Sequence, residues 1–350
     1  MTQHPEKKSL WRTAVIPPAL GFGFLLLLLL PGVLIGLFLV SGAASILLFG
    51  ALPVAAAFFG GATKSSIQII ALMTSSGTLA RVFDQDPLPS ALLMAVVAFT
   101  IGLTARRGLT SPILIVGISL GFLIISPPQL GQSGHQVLDT LNPVLVTAAL
   151  LLIGGLWARL VIAVIQKRIP PTKETSPGNP RELIPYALAL AVSTSVSTYF
   201  LLTYSPGGLG AWLVLTIFVV LKVDPDKTWK KTKDRLIGTL SGAALALIVI
   251  EILSVLKWNQ GLIQLFIALL FVGTAMSYFV PGPYWKYVFF LTPGVVLLDS
   301  NAVANQTDVA AWRVLYTLMG IGLALGIGAL IHLVTHSILR VDSPTPDQSH

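Results

Sequence analysis

Long apolar runs separated by short polar loops form the main pattern along this chain. Residues 13–60 contain no charged side chain, and a run of that length suits two membrane spans better than one. A helix needs about 20 apolar residues to cross roughly 30 Å of hydrocarbon. On that measure the pattern predicts twelve spans. Two lie within 13–60, and the others lie near 66–83, 88–104, 110–127, 142–165, 183–202, 208–222, 236–256, 261–280, 284–299 and 313–335.

The composition agrees with a lipid environment. Of the 350 residues 54% are apolar and only 10% are charged, and the mean hydropathy is +0.84. A soluble domain carries roughly a quarter charged residues, so we exclude a soluble globule, a disordered chain and a coiled coil. The absence of cysteine excludes disulfides, thiolate metal sites and a cysteine nucleophile. We therefore predict an all-α fold, a polytopic transmembrane helical bundle.

The basic residues lie between the apolar runs and indicate orientation. With the N-terminus in the cytoplasm and alternating spans, eighteen of the 22 Lys and Arg residues fall on the inner side. Arg81, Lys257 and Arg313 fall on the outer side, and Arg159 lies within a span. This excess predicts a multi-pass membrane protein with both termini cytoplasmic. Because the net charge of +8 is not gathered in one patch, we expect membrane lipid and no nucleic acid as a partner.

The order of the spans predicts two like halves. These would be a six-helix membrane repeat at 1–165, a cytoplasmic linker at 166–182, a second six-helix repeat at 183–340 and a cytoplasmic tail at 341–350. At an offset of 165 the segments 61–77 and 226–242 match at Thr63 and Thr228, Thr74 and Thr239, Ser76 and Ser241, and Gly77 and Gly242. Six spans per half is an even number, so the repeats would be parallel, and transporters of that kind bind their cargo between the halves.

A motif opens the span after the basic loop of the second half. The sequence from Arg235 to Gly242, RLIGTLSG, resembles the R-x-x-G-T-x-x-G signature of the fusaric acid resistance-like membrane proteins. That superfamily includes efflux pumps for aromatic carboxylic acids, and RVLYTLMG in the last span, from Arg313 to Gly320, is similar. The first half departs from the motif, with Ile70 at the place of Arg235. Many members also carry a large cytoplasmic domain where this chain has a short linker.

The resemblance implies an exporter in the bacterial inner membrane that moves small organic anions, aromatic acids in particular. Such exporters often work with a periplasmic adaptor protein. The residues that could carry such a function fall into three groups. The substrate-binding candidates are Arg235, Thr239, Arg313 and Thr317, and the helix-packing candidates are Gly238, Ser241, Gly242 and Gly320. The candidates for proton coupling are Glu251 and Asp299, because a carboxyl group inside a span is costly and its burial raises its pKa.

Each charged candidate also has a simpler interpretation. Arg235 could be an anchor that meets lipid phosphates. Arg313 could form a structural ion pair with Asp299 or Asp308, and Glu251 could reach outward to Lys257. Arg81, Asp84 and Asp86 form a cluster in an outer loop that is most simply solvated.

Two further expectations concern helix ends and hydroxyls. Asp226 would cap a short amphipathic helix, and Ser193, Thr194, Ser195, Ser197 and Thr198 would line a wet path or bond back to their own helix.

The chain lacks the motifs of other functional classes. It has no P-loop, no H-E-x-x-H motif and no readable grouping of catalytic residues, so we expect neither an enzyme nor a cofactor. We predict an efflux transporter for small organic acids that is driven by the proton gradient. The alternatives are a passive anion channel and an accessory membrane subunit of an envelope assembly.

Overall fold

The computed structural model of the chain describes residues 18–38, 42–107, 109–130, 142–166, 180–204, 209–256, 260–278, 282–300 and 306–341. These residues form twelve α-helices, and two short 3₁₀ turns lie at Thr63–Ser65 and Thr104–Arg107. The helices are α1 (Pro18–Phe38), α2 (Ala43–Phe59), α3 (Ser66–Phe83), α4 (Pro87–Leu103), α5 (Thr110–Ile125), α6 (Pro143–Ile165), α7 (Pro180–Tyr204), α8 (Ala211–Val220), α9 (Pro225–Val255), α10 (Gln260–Ser277), α11 (Tyr284–Ser300) and α12 (Gln306–Val341).

The helices lie where the apolar runs predicted them. Within the described residues, five are long and apolar enough to cross a membrane, namely α4 with the turn after it, α6, α7, α9 and α12. Six others are apolar but shorter, among them α8 with 10 residues. The arrangement indicates a multi-pass helical membrane protein, and twelve spans stay a prediction. The greater part of the predicted linker 166–182 lies outside the described residues.

Contacts within the chain define two compact units. One unit consists of residues 27–232 and 315–350, and the other consists of residues 1–26 and 233–314. The two units are defined by contacts, whereas the predicted halves are consecutive stretches of sequence. Neither unit coincides with one of the predicted halves. The two-repeat organisation therefore stays a prediction.

Small residues bring helices of the larger unit into close contact. A Cβ atom added at Gly50 would collide with the carbonyl oxygen of Leu151, and one added at Gly154 would collide with that of Leu47. These two contacts join α2 to α6 backbone against backbone. Close approach at small residues is the usual way that membrane helices associate, because lipid supplies no hydrophobic force between them.

One of these contacts has a counterpart later in the chain. A Cβ atom added at Gly320 on α12 would lie 2.8 Å from the carbonyl oxygen of Leu213 on α8. Gly154 and Gly320 are 166 positions apart, and so are Leu47 and Leu213. The pair α8–α12 thus repeats the contact of the pair α2–α6. This is the kind of contact that a two-repeat organisation predicts.

The start of α9 differs from the expectation for the basic loop. The Asp224 carboxylate accepts a hydrogen bond from the backbone N–H of Asp226 at 3.0 Å, so Asp224 and not Asp226 caps the helix. Proline follows at the first helical position, where its missing N–H costs nothing. The helix then continues without a break for 31 residues, so the separate short amphipathic helix was a wrong prediction.

A buried threonine fixes the loop before α9. Thr228 Oγ1 accepts a hydrogen bond from the backbone N–H of Lys222 at 3.0 Å, and it lies 3.2 Å from the Lys222 carbonyl oxygen, which accepts in turn. The loop is therefore held against the first turn of the helix.

Buried hydroxyls line one side of α7. Thr194 Oγ1 donates to the Leu190 carbonyl at 2.8 Å and Ser197 Oγ donates to the Ser193 carbonyl at 2.6 Å, so these two bond back to their own helix. Ser193 and Thr198 are equally buried, and their hydroxyls have no hydrogen-bond partner among the described residues. Of the two alternatives for these hydroxyls, bonding back to their own helix therefore holds for Thr194 and Ser197.

Candidate functional site

The first substrate-binding candidate, Arg235, is buried in the smaller unit. It lies in α9, its exposed fraction is 1%, and its Nη1 donates a hydrogen bond to the Tyr284 hydroxyl on α11 at 3.2 Å. A guanidinium group taken out of water needs such polar neighbours, because an isolated buried charge is very unfavourable. The position differs from a headgroup anchor, whose side chain would be exposed.

Arg313 on α12 approaches the same place. Its exposed fraction is 3%, and its charge acts electrostatically on both Tyr284 and Tyr287, as the charge of Arg235 does. The rings of the two tyrosines lie 5.9 Å apart between centroids. Arg235 thus contacts Tyr284 directly, and Arg313, 78 positions away in the sequence, lies near enough to both phenols for its charge to act on them. We call Arg235, Arg313, Tyr284 and Tyr287 the arginine–tyrosine cluster.

The two threonine candidates lie one turn beyond the arginines. Thr239 and Thr317 are each 1% exposed and follow Arg235 and Arg313 at i+4, the spacing that places residues on the same helix face. The Thr239 hydroxyl has no hydrogen-bond partner in the part of the chain that the structure describes. Thr239 can therefore donate to a ligand oxygen in addition to the two guanidinium groups.

The small-residue candidates differ in what they contact. A Cβ atom at Gly238 would lie 2.7 Å from the Trp285 carbonyl oxygen, and one at Gly242 would lie 2.7 Å from the Phe289 carbonyl oxygen. Both glycines therefore hold α9 directly against α11, the helix that carries the tyrosines. Gly320 lies against α8 instead, as described above. The Ser241 hydroxyl donates to the Ile237 carbonyl of its own helix at 2.6 Å.

The proton-coupling candidates do not join the cluster. Glu251 is exposed near the end of α9, and at 1.5 Å per residue it lies about 24 Å along the helix from Arg235. The side chain of Asp299 lies outside the described residues, and Asp308 is exposed. A carboxylate that does act on the cluster is Asp234, which interacts electrostatically with Tyr284.

Sequence reasoning missed the two tyrosines and Asp234. Tyr284 and Tyr287 occur three positions apart in YWKY, at the start of a predicted span. That position is typical of interfacial aromatic residues, so it does not distinguish a binding tyrosine from a membrane anchor. The i+3 spacing of two phenols on one helix face was the available signal.

A comparison with known families bears on the same region. Residues 185–327 match the family model described as fusaric acid resistance protein-like. This stretch, which lies in the second half of the chain, is therefore similar to the fusaric acid resistance-like proteins. The resemblance predicted from RLIGTLSG is thereby confirmed, and the fusaric acid resistance-like region contains the whole arginine–tyrosine cluster.

A relative extends the comparison. The chain is 31% identical over 150 residues to the uncharacterized protein slr1298 of Synechocystis sp.. The matched stretch covers 41% of this chain and 18% of that protein, so the chain spans less than a fifth of the relative's length. No solved structure matches the chain.

Proposed function

We propose that this protein is a membrane transporter that exports small organic anions, aromatic carboxylic acids in particular. The observation that carries the proposal is the convergence of the buried Arg235 and Arg313 on Tyr284 and Tyr287. The fusaric acid resistance-like region supports it, because the resemblance implies efflux of such acids.

The chemistry of the cluster suits a carboxylate attached to a ring. Two guanidinium groups repel each other strongly where the surroundings are apolar, and a carboxylate between them replaces this repulsion with two attractions. Arginine binds a carboxylate with two parallel hydrogen bonds, which fixes the orientation of the anion. The tyrosine rings supply an apolar surface and hydroxyl donors, and the Thr239 hydroxyl adds one more donor.

Energy and location complete the proposal. The chain would lie in the bacterial inner membrane with both termini in the cytoplasm, and a periplasmic adaptor protein would accept the exported acid. Proton entry would drive export through Glu251 and Asp299, and Asp234 is a further carboxyl beside the cluster. A reporter enzyme that works only in the cytoplasm should therefore be active when fused after residue 341. A reporter that works only in the periplasm should be inactive there.

Transport by purified protein in liposomes tests the proposal. With benzoate inside and a proton gradient across the membrane, wild-type protein should move benzoate against its concentration gradient, and an uncoupler should stop it. Arg313→Ala should lower the rate at least tenfold, and Arg313→Lys should be nearly as impaired because lysine lacks the planar pair of donors.

Arg159→Ala is the matched control. This variant also removes an arginine side chain, but at an exposed position in α6. Its transport should stay at the wild-type rate. Equal rates for Arg313→Ala and wild type would remove the arginine–tyrosine cluster from the transport path. Failure of folded wild-type protein to move any aromatic acid would overturn the function.

A passive anion channel is the second candidate. The separation of about 24 Å between Glu251 and Arg235 along α9 favours it, because a channel needs no carboxyl group coupled to the anion site. In that case the uncoupler would leave benzoate flux unchanged, and Glu251→Gln would conduct as wild type does. In a proton-driven exporter both changes should abolish accumulation.

A further inference from the structure

A small cleft in the larger unit has not been assigned any role. Its lining comes from the ends of four helices, with Ile46 at the start of α2, Arg81 at the end of α3, Pro127 just after α5 and Thr147 near the start of α6. The alternation of spans predicts that these four helix ends lie on the outer side. Their meeting at one cleft agrees with that alternation.

The polar part of the lining is a cation and a hydroxyl. Thr147 is 2% exposed, and its hydroxyl has no hydrogen-bond partner among the residues that the structure describes. The Thr147 hydroxyl is therefore available to donate a hydrogen bond to a group bound in the cleft. Arg81 lines the same cleft and is partly exposed, and across the described ranges it forms no ion pair with Asp84 or Asp86.

The turn beside the cleft is held in an uncommon conformation. Asp84 and Gln85 have φ values of 43° and 66°, which residues other than glycine rarely adopt. The Gln85 side chain donates to the carbonyl oxygens of Ile124 and Ile125 at 3.3 and 3.4 Å, so it ties the end of α3 to the end of α5. A backbone held in this way keeps Arg81 and the segment around Pro127 in fixed positions.

One residue of the cleft corresponds to a member of the arginine–tyrosine cluster in the predicted repeat. Thr147 and Arg313 are 166 positions apart, the same separation as between Gly154 and Gly320 in their matching contacts. Gly77, which also lines the cleft, is the counterpart of Gly242 at the offset of 165. The position that Arg313 holds in the second half therefore corresponds to a position that lines the cleft in the first half.

We propose that this cleft is a second anion subsite that takes the carboxylate of a small organic acid. The Arg81 guanidinium attracts the carboxylate, and the Thr147 hydroxyl donates a hydrogen bond to it. Only a group the size of a water molecule fits the enclosed part, which suits a carboxylate oxygen. The apolar remainder of the acid would lie at the open mouth, against Leu123 and the prolines.

The choice of a carboxylate rests on the proposed function, whereas the lining of the cleft does not. The test is therefore a binding measurement that needs no transport. Full-length purified protein is treated with phenylglyoxal, which modifies arginine, and the modification of each arginine is followed by peptide mass spectrometry. Benzoate should slow the modification of Arg81 in a saturable manner and leave the exposed Arg159 unaffected in the same digest.

Substitution of Thr147 separates the subsite from a general effect of the anion. Thr147→Val keeps the volume and removes the hydroxyl, and loss of a hydrogen bond to a charged group should raise the benzoate concentration for half-protection at least tenfold. An Arg81 modification rate that benzoate does not change in wild type, or equal protection in Thr147→Val, would overturn the subsite. Arg313→Ala distinguishes the two proposals, because protection of Arg81 should persist in that variant even where transport is lost.

Discussion

The contact between α9 and α11 leads to a quantitative prediction for Gly242→Ala. The added Cβ would lie 2.7 Å from the Phe289 carbonyl oxygen and 2.8 Å from Thr292 Cβ, whereas ordinary contact begins at 3.4 Å. The obstructing oxygen belongs to the backbone, so it cannot rotate away as the end of a side chain can. The two helices must therefore separate by roughly 0.7 Å at this point, or the alanine must stay in a strained position.

The size of the effect follows from two opposing terms. Overpacking of this kind costs about 1–3 kcal/mol, and the better helix propensity of alanine returns up to about 1 kcal/mol. We expect a net loss of about 1–2 kcal/mol, which should lower the thermal midpoint of the purified protein in detergent by several degrees. Transport should fall as well, because α11 carries Tyr284 and Tyr287.

A glycine in open surroundings is the matched control. Gly322 lies within α12, and among the described residues no atom lies within 4 Å of an added Cβ, so Gly322→Ala should be neutral or slightly stabilising. If both variants shift the midpoint equally, the loss in Gly242→Ala does not come from the contact with α11. The close-packing argument would then be refuted.

Two further predictions concern the loop before α9. Thr228→Val removes the acceptor of the Lys222 N–H, and leaving that group without a partner should lower stability by about 1–3 kcal/mol in thermal unfolding. Thr232→Val is the control, because in the described residues the Thr232 hydroxyl bonds only to the Thr228 carbonyl of its own helix. This variant should lose less than half as much stability, and equal losses would contradict the argument. Burial and the nearby Lys231 lower the pKa of Lys222, which lies outside α8, to about 7. The unfolded chain binds this proton up to about pH 10, so the stability of the folded protein should rise between about pH 7 and pH 10. Lys222→Met should flatten that rise, measured as the thermal midpoint at each pH. An unchanged rise in the variant would contradict the assignment to Lys222.

The positions of the helices were predictable because hydropathy reports the cost of placing each residue in lipid. The described helices follow the predicted apolar runs, except that α9 begins at Pro225 and takes in most of the basic segment before the predicted span at 236–256. The exact residues at which the helices begin and end were less predictable. Asp224 and Asp226 are both good capping residues, and only the geometry of the loop decides between them.

The site was predictable in part. Arg235 and Arg313 were selected because each opens a segment similar to the family motif, and in the structure the charges of both act on the same pair of tyrosines. Membrane helices are apolar on all sides, so periodicity does not tell which faces meet. For that reason the sequence left Tyr284 unassigned and grouped Arg81 with the solvated Asp84, although Arg81 lines a cleft with the buried Thr147.

The matching contacts of Gly154 with Leu47 and of Gly320 with Leu213 limit how this protein can change shape. A pair of helices that touches through backbone atoms has no intervening layer of side chains that could repack into a second arrangement. The pairs α2–α6 and α8–α12 should therefore each move as a rigid body. Any motion that opens a path for cargo then has to occur at seams lined by larger side chains, and cross-links placed within either pair should leave turnover intact.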